Sequence, residues 1–141
     1  MEFQLAWGGD PEDLLVTASG VASGDDLSPL EAALADPRWR PPMHVLLDYR
    51  EVDMSHLSVS AIEERVALLV DSGHRIGRCH TAVVVTRDLN FGIVRMLQAI
   101  AEQRVTYELG VFRSFEQARD WLREARQRED AAAPPSEEAP R

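Results

Sequence analysis

Residues 43–70 read MHVLLDYREVDMSHLSVSAIEERVALLV, and the way this stretch divides decides the fold. Its first seven residues are a compact apolar run behind Pro41-Pro42, the length and composition of a strand buried on both faces. Further on, Ser60-Ala61-Ile62-Glu63 has the form of a capping box, and Val59, Ile62, Val66 and Leu69 recur at helical spacing until Gly73. The same strand-to-helix unit follows twice more. Residues 79–86 (CHTAVVVT) precede a helix that Asp88 can cap, with a stripe of Phe91, Val94, Leu97 and Ile100 or Ala101. Residues 105–112 (VTYELGVF) precede Ser114-Phe115-Glu116-Gln117, a further cap, and a stripe of Phe115, Ala118, Leu122 and Ala125 with Trp121 beside it. Repeated strand-helix alternation implies parallel strands joined by right-handed crossovers.

Upstream, residues 3–7 alternate, Gly8-Gly9-Asp10-Pro11 signals a turn, and residues 13–19 (DLLVTAS) form a second strand, which gives an antiparallel pair. Ser28-Pro29-Leu30-Glu31 starts a short helix that Asp36-Pro37 ends. The expected architecture is α/β: a small mixed β-sheet of about five strands, an N-terminal antiparallel pair, βα crossovers and about four helices. The domain is expected to span residues 1–128. Residues 129–141 (EDAAAPPSEEAPR) have too little bulky apolar surface to offset ordering entropy, so a disordered acidic Ala/Pro-rich tail is expected there.

The chain of 141 residues suits one domain, and its hydrophobic fraction of 45% supports a real core. No apolar run reaches the roughly 18–20 residues that span a bilayer, and MEFQLAWGGD lacks a basic segment before a greasy one. A cytoplasmic location without membrane insertion is the expectation. All 15 basic residues are arginine, which removes Schiff-base lysines, the phosphate-loop lysine and the kinase strand lysine together. Against a net charge of −9, positions 1–37 hold eight acidic residues and no basic one. Such a surface disfavours nucleic acid and suits either solvent or a basic protein partner.

In open α/β sheets, ligands favour the carboxyl ends of parallel strands, where helix amino termini converge. An arginine stands at each such junction here: Arg50, Arg87 and Arg113. Together they would hold an anion; separately they would pair with Asp48 or Asp53, with Asp88, and with Glu116. The connection over residues 48–60 is long for a strand-to-helix loop, and it carries Asp48, Arg50, Asp53, Ser55, His56 and Ser58. A hydrolase built on His56 and these serines lacks a Gly-x-Ser-x-Gly elbow and a glycine-rich oxyanion loop. The histidines His44, His56, His74 and His80 fall at no metal-ligand spacing, and Cys79 and His80 would face opposite sides of a strand, so neither metal nor cofactor is expected. The single cysteine, Cys79, behaves as a small buried hydrophobe in such a setting.

VLLDYREVDMSHLSVSAIEE, RCHTAVVVTRDLNFGIVRM and VFRSFEQARDWL, in this order, resemble the SpoIIAA-like, or STAS-like, superfamily across residues 3–126. That group includes bacterial anti-sigma factor antagonists and cytoplasmic domains of sulphate transporters, and the closing VFRSFEQARDWL is most similar to a stand-alone, largely uncharacterised bacterial subgroup. The resemblance implies a small mixed sheet whose strands follow chain order. In the antagonists, a strand ending in aspartate leads to an Asp-Ser-Ser/Thr-Gly motif whose serine is phosphorylated by a partner kinase. Asp48 matches the aspartate, but the motif is replaced by Asp53-Met54-Ser55-His56-Leu57-Ser58, which leaves Ser55 and Ser58 as the nearest phosphosites. Distant kinship with Sec14-type lipid-binding domains adds a small hydrophobic ligand to the implied partners.

These readings combine into a non-enzymatic protein-interaction or regulatory module that meets a partner protein, such as a kinase or regulator, near Asp48, Arg50, Asp53, Ser55, Ser58, Arg87 and Arg113. The alternative is a carrier or sensor of a small apolar or anionic ligand. Oligomeric state has no signature in the sequence.

Overall fold

The computed structural model describes residues 1–23, 28–102, 104 and 107–132. Five strands form one sheet in chain order: β1 (Glu2–Trp7), β2 (Leu14–Val21), β3 (Met43–Asp53), β4 (Cys79–Val84) and β5 (Glu108–Phe112). β1 and β2 are antiparallel, whereas β2, β3, β4 and β5 run parallel. The helices are α1 (Ser28–Leu34), α2 (Val59–Asp71), the single turn α3 (Gly73–Ile76), α4 (Asp88–Ala101) and α5 (Phe115–Ala132). The mixed five-stranded α/β sheet agrees with the sequence reading; α3 adds one helix to the four expected.

Side-chain alternation divides the core between the two faces of the sheet. Leu14, Val16, Val45 and Cys79 point to the face covered by α1, α2 and α4, and Leu46, Ala82 and Val84 point to the face covered by α5. On that second face Ala118, Leu122 and Ala125 are buried at helical spacing, as their stripe predicts. Ser114 caps α5, its Oγ accepting from the Gln117 amide at 3.2 Å.

Four expectations are corrected. The connection over 48–60 is not a long loop, because β3 runs on to Asp53 and only residues 54–58 link it to α2. The extension follows from a bulge: Thr17 opposes Asp48 while Ser19 opposes Glu51, so β3 carries one extra residue, and Val52 turns onto the same face as Val83 and Val85. The cap of α2 is Ser58, not Ser60, with the Ser58 Oγ accepting from the Ala61 amide at 3.1 Å. Nor does Asp88 cap α4, which begins after Arg87 without a side-chain cap; Asp88 pairs with Arg113 instead. Finally, α5 continues to Ala132, four residues into the segment expected to be a tail, and residues 133–141 lie outside the described residues.

The acidic N-terminal third finds much of its counter-charge inside the fold. Glu12, buried in the β1–β2 turn, receives Arg119 at 2.8 Å, and Asp13 receives Arg126 at 2.9 Å. Asp36 pairs with Arg38 at 2.9 Å and Glu31 with Arg75 at 3.5 Å. Asp25 and Asp26 lie outside the described residues.

Candidate functional site

The strand-end residues singled out from the sequence share one end of the sheet but do not form one site. Arg50 grips Asp48 through two bonds of 2.8 Å, a fork-on-carboxylate pair that lies on the α5 side, where the guanidinium stacks 5.2 Å from the centre of the Phe115 ring. The hydrogen bonds from Arg50 outweigh partial burial and hold the Asp48 carboxyl below its ordinary range. Arg113 donates to Asp88 at 2.6 Å and stacks 4.3 Å from the centre of the Phe91 ring. Arg87 is exposed and makes no ion pair among the described residues. Two of the three guanidinium groups are therefore already matched by carboxylates, the local-pairing alternative, although Arg113 takes Asp88 in place of Glu116.

Asp53 accepts the Ser55 amide at 2.8 Å, which closes a tight turn beyond β3, and hydrogen bonds from the Ser55 hydroxyl and then its amide hold the Asp53 carboxyl below its ordinary range. Ser55 is exposed, while the Ser58 hydroxyl is occupied as a helix cap. His56 makes no hydrogen bond to a serine among the described residues, so the geometry a Ser-His pair needs is absent there. Asn90-Phe91-Gly92 reads from sequence as a turn but lies within α4, and the buried Asn90 amide donates to the Val52 carbonyl at 2.9 Å and ties the start of α4 to the end of β3.

Between the sheet and helices α1, α2 and α4 lies a cavity of about 160 Å³. Leu47 and Val83 rise from its floor, Ile62 and Leu97 close it from above, and Met54 and Leu57 of the short 54–58 connection seal one side. Its lining is overwhelmingly apolar. Four polar side chains interrupt it: Tyr49, Arg65, Thr81 and Tyr107. Arg65 donates to the Ser23 carbonyl at 3.3 Å. The Tyr107 hydroxyl is buried with no hydrogen-bond partner among the described residues, and desolvation raises its pKa. Cys79 also lines the cavity; burial pushes its thiol up to about 12, outweighing a contact with Thr81.

The strand order β1-β2-β3-β4-β5, with one antiparallel pair, α1, α2 and α4 packed on one face and α5 on the other, has a counterpart among solved structures. An uncharacterised protein of the DUF3478 family from Shewanella loihica, described as having a SpoIIAA-like fold, superposes with a TM-score of 0.53 at 24% sequence identity, over 86% of this chain and 92% of that one. The fold is SpoIIAA-like. No protein-family model matches the chain, and no curated protein does. Within the SpoIIAA-like sheet, the cavity lies on the α2/α4 side and the Asp48–Arg50 pair on the α5 side. No helix among the described residues is long and apolar enough to cross a membrane.

One further grouping escaped the sequence reading. His44 and His80 are register partners on β3 and β4, and α5 brings Glu129 against both. The three are separated by 36 and 49 positions, so no spacing rule could have joined them.

Proposed function

We propose that this protein is a non-enzymatic sensor or carrier that takes a small, mainly apolar molecule into the cavity between the sheet and α1, α2 and α4. The observation that carries this reading is the cavity itself, about 160 Å³ in a small domain and lined almost wholly by hydrocarbon. A dry apolar cavity of roughly 150 Å³ is large enough to admit benzene. Close packing is the rule in protein interiors, and unfilled apolar space forfeits dispersion contacts that a ligand would restore. The unpartnered Tyr107 hydroxyl and the Arg65 guanidinium favour a ligand with one hydrogen-bonding or acidic end.

Benzene and octanoate serve as probes in thermal unfolding of the full chain. A ligand at a hundred times its Kd adds about 2.7 kcal/mol of stability, a rise of several degrees in Tm. Tyr107→Phe should weaken octanoate and spare benzene, and Val83→Phe, which fills the floor, should abolish both shifts while remaining folded. Unchanged melting with both probes would refute the proposal.

A second reading keeps the partner protein. Val21, Val59 and Leu89 are exposed at the ends of β2 and the starts of α2 and α4, the same end of the sheet, together with Ser55 and Arg87. Met54 and Leu57 touch the cavity from the connection that forms part of this end, so ligand occupancy and partner binding would share one segment. Ser55→Asp and Leu89→Glu, tested in pull-down from the native host, should reduce recovery of a partner that the wild type retains.

A further inference from the structure

On the α5 face, at the amino ends of the parallel strands, Asp13, His44, His80 and Glu108 form a row across the sheet. His44 opposes His80 in the β3–β4 register, and His80 opposes Glu108 in the β4–β5 register. The two imidazoles lie parallel, 5.5 Å between centres. Each has one nitrogen turned outward to a carboxylate: His44 Nδ1 is 3.3 Å from Asp13 Oδ2, and His80 Nε2 is 3.4 Å from Glu108 Oε2. A carboxylate beside one ring nitrogen favours the N–H there and leaves the other nitrogen as a lone pair. Those other nitrogens, His44 Nε2 and His80 Nδ1, face Glu129 in the last turn of α5, at 2.8 Å from Oε1 and 3.7 Å from Oε2.

Both inward nitrogens are buried with no hydrogen-bond partner among the described residues, although Glu129 stands against both. The side chains are 5%, 13% and 18% exposed for His44, His80 and Glu129. One atom from each lies within 4.8 Å of the others. Two imidazole nitrogens and a carboxylate thus converge in a sheltered place, where a proton or a metal cation held between them offsets the cost of their burial.

We propose that His44 Nε2, His80 Nδ1 and Glu129 bind a divalent transition-metal ion of the zinc type, with Asp13 and Glu108 orienting the two imidazoles. Two histidines and one carboxylate form a recurrent zinc ligand set with a fourth position open, whereas calcium and magnesium prefer oxygen alone. Ligands about 2.1 Å from a tetrahedral ion lie roughly 3.4 Å apart, so small side-chain rotations close the set. Arg78, 78% exposed, approaches Glu129 to 4.0 Å and is the counter-charge that the ion would displace toward solvent. Nothing in this site depends on the cavity, which lies across the sheet.

The test uses the untagged full chain, stripped with a chelator and titrated with zinc by calorimetry. One equivalent should bind to the wild type. His80→Ala and Glu129→Gln should each weaken binding by more than tenfold, and Glu108→Gln, a change at an exposed carboxylate, by about tenfold. His56→Ala and His74→Ala, which remove exposed histidines elsewhere, should bind as the wild type does. Zinc should raise the Tm of the wild type and leave that of Glu129→Gln, whose metal-free melting should match the wild type, unmoved. Cobalt should give visible absorption in the wild type and lose it in His80→Ala. Absence of stoichiometric binding would overturn the proposal, as would equal loss in His74→Ala and His80→Ala, or an equal zinc-induced rise in the wild type and Glu129→Gln.

Discussion

Single residues show how far local sequence can carry an argument. Asp48 and Arg50 are two positions apart on one strand, so their side chains emerge on the same side and meet without help from the rest of the chain. The pairing depresses the folded pKa of Asp48, while the unfolded carboxyl titrates near about 3.9. Its stabilising contribution is therefore complete above about pH 4 and lost as pH falls through the folded value. Asp48→Asn should lower the urea midpoint at pH 7 and progressively cease to do so toward pH 3; an offset that stays constant with pH would contradict the assignment. Cys79 behaves as its apolar neighbours foretold. With its thiol pushed up to about 12 and fully within the core, it should resist alkylation at pH 8 in the native protein and react once urea unfolds it. Asn90 illustrates the opposite case, since nothing local distinguishes its bond to the Val52 carbonyl from an ordinary first-turn asparagine.

Elements follow their periodicity, but their ends depend on partners. β3 was legible as a strand from its apolar run, yet its last residues are polar and look like a loop. They become strand because β2 continues alongside to Val21 and supplies hydrogen bonds past the bulge. Ser58, two positions before the serine that the capping pattern selects, then begins α2. α5 was legible along its apolar stripe, whereas its arginines carry a role that the stripe does not reveal. Arg119 and Arg126 reach back to Glu12 and Asp13 and fasten the β1–β2 turn to the far end of the chain. Removing one side of a fully buried ion pair costs roughly 3–5 kcal/mol. Arg119 is partly exposed, so Arg119→Ala should cost about 2 kcal/mol, read from chemical unfolding. Glu12→Gln should cost less, because an amide oxygen still accepts from the guanidinium.

At the scale of the molecule, the two faces of the sheet differ in how firmly they are covered. α5 lies directly against β3, β4 and β5, while α2 has α4 and α3 as its main backbone neighbours and stands over the cavity. Amide exchange should consequently be slowest in β3, β4 and α5 and faster in α2, and a cavity ligand should slow α2 most. Equal protection of α2 and α5 would argue against the open interior. The sequence by itself determined the five strands, the antiparallel start and the buried stripes, because backbone hydrogen bonding and side-chain periodicity act over a few residues, while the order of the strands in the sheet was implied only by the family resemblance. Only the tertiary structure decided where β3 ends, how large a space the helices leave above the sheet, and which distant side chains meet. His44, His80 and Glu129 converge because strand register and the docking of α5 place them together, and register and docking are long-range quantities that no local pattern encodes.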